Sequence, residues 1–257
     1  RLHVVGREEI AWSEKQPAGK VERVFADLIS ARPPAIIIAD GCHSPLVVEA
    51  ACAADIPVMS SPLPAPTVID LVRAWLARQL ADRIEMHGVM IDVLGMGVLI
   101  TGESGVGKSE LALELVSRGH GLVADDVVEV AHVAPNVLEG RAPEMLKDFL
   151  EVRGLGVLNI RTIFGETACR RKMKVNLVVH LQRPRRGEAD MIPRLPIDAQ
   201  IEEVLGVPLR KVTIPVAAGR NLAVLVEAAV RSAILTFRGL DSTREFVERQ
   251  RRALEEG

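Results

Sequence analysis

The chain has 257 residues, of which 48% are hydrophobic and 26% charged, and these proportions exclude a fibrous or disordered protein. Its net charge of -2 argues against a general nucleic-acid binder, and 3% aromatic residues with no tyrosine leave little for base stacking. No apolar stretch approaches the roughly 18 residues of a transmembrane helix, so no membrane partner is expected. The three widely separated cysteines have no metal-ligand spacing and indicate reduced thiols in a cytoplasmic protein.

Short apolar runs alternate with helical patterns in the first third of the chain, which favours a parallel α/β sheet. The expected elements are strands at 35–40 and 57–60, a helix at 45–55, and a helix that has Thr67 as its N-cap and reaches about residue 83. We assign residues 1–83 to a smaller N-terminal α/β domain. Because the chain begins at Arg1 without a methionine, we expect this domain to be truncated.

The composition changes near residues 81–86, and we assign residues 84–257 to a second domain. Its expected strands lie at 89–92, 98–101, 122–124, 127–133, 175–181 and 212–216, and its expected helices at 109–118, 143–150, 222–237 and 243–255. Gly119 should end the first of these helices. The charged, proline-rich stretch 183–196 is expected to be a loop.

One motif in the second domain carries a clear chemical meaning, because residues 102–109 fit G-x-x-x-x-G-K-[ST] completely. A strand is expected before the motif and a helix after it, as a phosphate-binding loop requires. Its glycines let backbone N–H groups surround phosphate oxygens at the helix N-terminus. Lys108 would reach the β- and γ-phosphates, and the Ser109 hydroxyl would bind Mg²⁺. The motif consists of Gly102, Glu103, Ser104, Gly105, Val106, Gly107, Lys108 and Ser109.

Acidic and basic residues elsewhere in the domain are candidates for the same site. Asp125 and Asp126 follow a short apolar strand, and two such carboxylates can divide their work between a metal ion and a proton. Glu151 and Arg153 stand beside glycines that permit close backbone approach, which fits either a phosphate site or a turn with a solvated ion pair. His87, taken alone, is more typical of a structural histidine.

Together and in this order, these motifs resemble those of the HPr kinase/phosphorylase family. The matching runs are His87-Gly88-Val89, the P-loop with Glu110 after it, Ala124-Asp125-Asp126, and residues 151–156, 210–215 and 219–221. The resemblance covers about residues 85–237, and it extends to the first third of the chain only in general α/β character.

The resemblance implies a bifunctional enzyme that phosphorylates a serine of the phosphocarrier protein HPr with ATP or pyrophosphate. The same enzyme removes that phosphate by phosphorolysis with inorganic phosphate. It also implies an α/β fold with a mixed sheet in a P-loop kinase domain, preceded by a smaller α/β domain. A Mg²⁺ cofactor and a homo-hexamer are implied as well.

Residue roles follow from the same resemblance. Asp126 matches the base for phosphorylation, which is the acid in reverse, and His87 and Lys108 match other catalytic positions. Ser109 and Glu151 match Mg²⁺ positions. A catalytic arginine of the charged loop is placed at Arg194, with Arg185 or Arg186 as alternatives.

The loop after the late strand departs from the family pattern. Between the matching positions Pro215, Gly219 and Arg220, this chain has Ala217 and Ala218 where the family usually has Arg and Pro. That loop is tied to dephosphorylation in the family, so phosphorolysis here should need more phosphate than usual. The alternative is that the loop only packs at a subunit contact.

Two other functions remain open at this point. A nucleotide-dependent regulatory switch is disfavoured by the short spacing between the P-loop and the aspartates, and by the absence of an Asn-Lys-x-Asp run for guanine. A small-molecule kinase or a phosphoenolpyruvate-carboxykinase-like enzyme is the other alternative.

Overall fold

The computed structural model describes residues 1–183, 200–217 and 219–255. The chain divides into two compact units, Arg1–Leu80 and Ala81–Gly257, a division three residues before the one expected from the sequence. No helix among the described residues is both long and apolar enough to cross a bilayer.

The first unit is built on a parallel sheet in the order β1-β2-β3. Its elements are β1 (His3–Val5), α1 (Arg7–Glu14), α2 (Ala18–Ser30), β2 (Ile36–Ile38), α3 (Pro45–Ala53), β3 (Val58–Ser60) and α4 (Ala65–Gln79). Successive side chains of a strand point to opposite faces, so Ile36 and Ile38 pack in one apolar cluster and Ile37 in another. The parallel α/β sheet predicted for this region is confirmed.

Helix α4 differs at both ends from the expected helix. It begins at Ala65 after Pro64, so Thr67 lies within its first turn and is not the N-cap. Pro66, in the first turn, is compatible with the helix because the first turn needs no backbone donor. The helix ends at Gln79, and Arg83 instead begins a strand of the second unit.

The second unit contains a large mixed sheet. Its strands, in chain order, are β4 (Arg83–His87), β5 (Val89–Val93), β6 (Met96–Gly102), β7 (Gly121–Ala124), β8 (Val127–Ala134), β9 (Val137–Arg141), β10 (Phe149–Val152), β11 (Gly156–Asn159), β12 (Met173–Gln182), β13 (Gln200–Val204) and β14 (Val207–Pro215). Its helices are α5 (Lys108–Ser117), α6 (Ile160–Phe164), α7 (Leu222–Phe237) and α8 (Ser242–Glu255).

Among the described residues, the main sheet has the order β4-β8-β9-β12-β6-β5-β7, and β14 pairs with both β12 and β13. Strand β12 is parallel to β6 and to β14, whereas its first residues pair antiparallel with β9. The remaining neighbours in this sheet are antiparallel. The predicted α/β class with a mixed sheet is therefore confirmed.

Both faces of the central strands are buried. Ile91 and Ile100 pack with α5 and α7 in one apolar cluster, while Met90 and Leu99 face a second cluster that includes residues of β8 and β9. Such strands form continuous apolar runs, which is why the sequence pattern revealed them. The rigid sheet fixes the edge from which the P-loop starts.

The helix predicted at 143–150 is wrong. Only Glu144–Leu146 makes a 3₁₀ turn, and Phe149 already belongs to β10, which pairs antiparallel with β11. Leu150 and Val152 are buried on one face of this hairpin. Pairing with a strand farther along the chain overrides the local helical pattern.

Candidate active site

The P-loop leaves the end of β6 and enters the first turn of α5. Gly102, Gly105 and Gly107 all have positive φ angles, of 144°, 70° and 103°. A Cβ atom at Gly102 would also lie 2.5 Å from the backbone oxygen of Leu181 on β12. Glycine is therefore required both by the backbone conformation and by the close approach of the neighbouring strand.

Lys108 is the first residue of α5 and only 8% of it is exposed. Its Nζ donates hydrogen bonds to the backbone oxygens of Gly102 at 3.0 Å and of Glu103 at 3.1 Å. An ammonium group has three donors, so these two bonds hold Nζ across the loop and leave one proton for an oxygen of a bound phosphate.

Asp125 connects the P-loop helix to the β10–β11 hairpin. Its Oδ1 accepts a hydrogen bond from the Ser109 hydroxyl at 3.0 Å, and its Oδ2 accepts one from the backbone N–H of Glu151 at 2.9 Å. Asp125 is 4% exposed. Burial raises the pKa of its carboxyl group, and the two hydrogen bonds oppose that rise. Asp125 thereby brings Ser109 and Glu151 to the same place.

His87 and Asp126 form an exposed pair at this site. Nδ1 of His87 lies 3.1 Å from Oδ1 of Asp126, and their side chains are 57% and 63% exposed. Asp126 has a positive φ of 62°, and its backbone oxygen accepts a hydrogen bond from Gly88 at 3.0 Å. A Cβ atom at Gly88 would lie 2.6 Å from the backbone oxygen of Ile100, so glycine allows this close packing.

Glu151 and Arg153 reach the site from the hairpin. Arg161 closes the base of the hairpin by donating to both carboxylate oxygens of Asp148, at 2.7 and 3.1 Å, and it holds the pKa of Asp148 below its usual value. Nη2 of Arg153 lies 3.8 Å from where a Cβ atom at Gly105 would be. The glycines that follow Arg153 have open space around them, so their positive φ angles, and not close backbone approach, require glycine there.

These side chains line one cleft of about 200 Å³, which we call the P-loop cleft. Its lining residues are His87, Ser104, Gly105, Gly107, Lys108, Ser109, Glu110, Asp125, Asp126, Glu151 and Arg153. The cleft therefore combines a phosphate-binding loop with three carboxylates predicted from the sequence, an exposed histidine and an arginine.

The cleft also contains oxygen atoms of the kind that Mg²⁺ prefers as ligands. No group of three or more His, Cys, Asp or Glu residues arranged to hold a metal occurs in the described part of the chain. Mg²⁺ is, however, commonly bound by one or two carboxylates together with phosphates and water. The Ser109 hydroxyl and the Glu151 carboxylate, with Asp125 between them, fit such a site.

Other candidates from the sequence lie elsewhere. Pro215 ends β14 beside Gln182, while Gly219 and Arg220 precede α7, and none of these three is among the described residues that line the P-loop cleft. Arg194 and its alternatives Arg185 and Arg186 lie outside the described residues, as does Ala218.

Arg183 was not singled out from the sequence, yet it contacts the P-loop. Its Nη2 donates a hydrogen bond to the backbone oxygen of Gly105. The only signal in the sequence was its position directly after a strand that runs parallel to β6. Since the carboxyl ends of parallel strands share one edge of a sheet, the residue after β12 lies beside the P-loop.

Comparisons with known proteins agree over nearly the whole chain. Residues 1–76 match the model of the HPr Serine kinase N terminus, and residues 78–250 match that of the HPr Serine kinase C-terminal domain. An HPr kinase/phosphorylase of Aromatoleum aromaticum is 59% identical over 99% of this chain and 82% of its own length. One from an Azoarcus species is 60% identical over 99% of this chain and 81% of its own.

A solved structure supports the same relationship. The Hpr(Ser) kinase/phosphatase from Coxiella burnetii is 35% identical, with a TM-score of 0.55 over 63% of this chain and 98% of its own. The regulatory switch and the small-molecule kinase considered above are not favoured by these comparisons.

Proposed function

This chain belongs to the HPr serine kinase family, and we propose that it transfers the terminal phosphoryl group of ATP to a serine of HPr. It also removes that group by phosphorolysis with inorganic phosphate. The observation that carries this proposal is the P-loop cleft, in which Asp126 lies with its partner His87 beside the phosphate-binding loop.

Asp126 is the proposed proton carrier. In phosphorylation its carboxylate takes the proton from the serine hydroxyl as the serine oxygen bonds to the γ-phosphorus and the bond to ADP breaks. In phosphorolysis, an oxygen of inorganic phosphate forms the new bond to phosphorus. Asp126 then returns its proton to the departing serine oxygen, and pyrophosphate is the product.

The other residues of the cleft act on charge and orientation. His87 contacts Asp126 at 3.1 Å and orients its carboxylate. Lys108 and Arg153 place positive charge near the transferring phosphoryl group, where it stabilises the negative charge of the transition state. Mg²⁺, held by Ser109 and Glu151, would neutralise charge on the donor phosphates.

Several finer properties are part of the proposal and rest on family membership. They are pyrophosphate as an alternative donor, Mg²⁺ as the cofactor, a cytoplasmic location and a homo-hexameric assembly. The catalytic arginine of the loop is proposed at Arg194.

The direct test is to incubate the chain with HPr, Mg²⁺ and ATP labelled at the γ-phosphate, and then to add inorganic phosphate. We expect label to appear on a serine of HPr and then in pyrophosphate. Hydrolysis of ATP without labelling of HPr would contradict the proposal. Label released from HPr as free phosphate would contradict only the phosphorolysis part of the proposal.

A further inference from the structure

A second cavity, of about 680 Å³, lies beside the P-loop, and we call it the side cavity. The described residues that line it are Glu103, His180, Gln182, Arg183, Gln200, Ile201, Lys211 and Thr213. Ligand pockets in proteins commonly measure roughly 300–1,000 Å³, so its size suits a small molecule. None of the roles assigned above uses it.

The side cavity and the catalytic carboxylates flank the P-loop on opposite sides. The P-loop follows β6. On one side of β6 lies β5 and then β7, the strand that precedes Asp125. Strands β12, β14 and β13 lie on the other side and carry most of the cavity lining. Glu103 belongs to both the P-loop and the cavity wall. A phosphate chain whose transferring end faces Asp126 therefore has its other end directed toward the side cavity.

A row of polar side chains crosses three parallel strands at the side cavity, and two of its members, His180 and Thr213, line the cavity. Thr101 of β6, His180 of β12 and Thr213 of β14 occupy the same register. The Thr101 hydroxyl lies 3.0 Å from Nδ1 of His180, and the Thr213 hydroxyl donates to Oε1 of Gln200 at 2.8 Å. The amide NH₂ group of Gln200 supplies two further donors. Such hydroxyl and amide groups suit ribose hydroxyls and the ring nitrogens of a base.

Cationic and anionic side chains occur together among the described residues around the side cavity. Lys211 forms an ion pair with Glu202 at 2.8 Å, and Arg183 is accompanied by Glu103. Burial, followed by the charge of Lys211, lowers the pKa of His180 and favours its neutral form. Among the described residues, each cation of this cavity therefore stands near a carboxylate, an arrangement that suits an uncharged polar ligand.

Ile201 gives the side cavity an apolar surface. It lies on β13, lines the cavity and is 64% exposed. The face of a purine ring could cover this side chain and remove apolar surface from water. In a chain with 3% aromatic residues, an aliphatic contact of this kind takes the place of aromatic stacking.

We propose that the side cavity binds the nucleoside part of the ATP donor, with the base against Ile201 and the polar row beneath it. This inference rests on the proposed kinase function, because it assumes that the donor is a nucleotide. It assigns the phosphates to the P-loop cleft and the nucleoside to a separate set of residues.

The test compares ATP with inorganic tripolyphosphate, which has the phosphates but no nucleoside. Their dissociation constants are measured by titration calorimetry with Mg²⁺ for the wild type, Ile201→Ala and Thr213→Val. We expect both variants to weaken ATP binding by about 3- to 30-fold and to leave tripolyphosphate binding unchanged. Leu240→Ala is the matched control, because Leu240 is 60% exposed and does not line the cavity. It should change neither constant.

Three results would overturn the inference. The first is equal binding of ATP and tripolyphosphate by the wild type. The second is that the two variants weaken the binding of ATP and of tripolyphosphate by the same factor. The third is that the variants leave the Kd for ATP unchanged; if they then raise the KM for HPr, the side cavity is a protein-docking surface. ATP binding as expected but without phosphorylation of HPr would leave the nucleoside site standing and contradict only the proposed function.

Discussion

Nδ1 of His87 lies 3.1 Å from Oδ1 of Asp126, although His87 closes β4 and Asp126 lies in the turn between β7 and β8. Antiparallel pairing of β4 with β8, in which His87 is opposite Val127, brings the two side chains together. The pair stands at the mouth of the P-loop cleft, where an acceptor hydroxyl can approach from solvent. This placement makes Asp126 the first residue to test.

Asp126→Asn should lower both phosphorylation and phosphorolysis by about 10²- to 10⁴-fold, the usual effect of removing a positioned general base. Asparagine keeps the shape of the side chain and tolerates the positive φ at this position. ATP affinity should survive, because the proposed contacts to the phosphates are made by Lys108 and the loop backbone. Initial rates in both directions and the Kd for ATP check this. A collapse of nucleotide and metal binding would instead make Asp126 a metal ligand and Asp125 the base.

Lys108→Ala and Ser109→Ala should each reduce phosphoryl transfer to background. The first variant removes the Lys108 ammonium group, which bonds the backbone oxygens of Gly102 and Glu103. The second removes the Ser109 hydroxyl, which donates a hydrogen bond to Asp125. Circular dichroism shows whether each variant is folded. Wild-type turnover in either folded variant would disprove the assignment of the P-loop.

Asp125→Asn should raise the Mg²⁺ concentration for half-maximal activity by about 10- to 100-fold, as loss of a group that orients metal ligands typically does. A carboxylate accepts bonds from both the Ser109 hydroxyl and the Glu151 N–H, whereas an amide offers only one oxygen. Activity measured over a Mg²⁺ titration checks this. Glu248→Gln, on an exposed residue of α8 outside the cleft, should leave the Mg²⁺ dependence unchanged.

Glu227 should contribute to the pH dependence of the free energy of unfolding of the second unit. Hydrogen bonds from Arg118 and then His120 lower the pKa of Glu227 to about 2 in the folded protein, from 4.5. A lowered folded-state pKa means that the stabilisation is present above pH 4.5 and is lost as the pH falls toward 2. Glu227→Gln should therefore lower the urea midpoint of the second unit at pH 7 more than at pH 3.

That experiment is best read by far-UV circular dichroism, because both tryptophans, Trp12 and Trp75, belong to the first unit. Their fluorescence provides an internal control and should show the same transition in both proteins. An equal shift of the second unit's midpoint at pH 3 and pH 7 would show that the Glu227 carboxylate has no role in the pH dependence.

The loop before α7 should affect phosphorolysis more than phosphorylation. Free phosphate must approach a phosphoserine, and nearby cations offset the repulsion between the two anions. Ala217→Arg should lower the phosphate concentration for half-maximal phosphorolysis, and Arg220→Ala should raise it. Phosphate titrations of the wild type and both variants provide the measurement. Equal phosphate dependence in all three proteins would show that the loop has no role in phosphate capture. The positive charge would then have to come from other residues, such as Arg153 and Arg183 near Gly105.

The sequence by itself determined the features that depend on contiguous residues. The P-loop motif predicted a strand, a glycine turn and a helix, and the structure has β6, the loop and α5 in that order. Helix α7 has the predicted bounds, Leu222–Phe237, because Asn221 is a strong N-cap and the apolar pattern is continuous. Local conformation and buried apolar runs are encoded by neighbours in the chain.

Only the tertiary structure decided which distant residues meet. The Asp125 carboxylate finds the N–H of Glu151 only because residues 149–152 form a strand and not the predicted helix. The parallel pairing of β12 with β6 places Arg183 against the P-loop, although no motif marks it. Side-chain partners across a sheet are set by strand order and register, and these follow from packing of the whole domain and not from spacing along the chain.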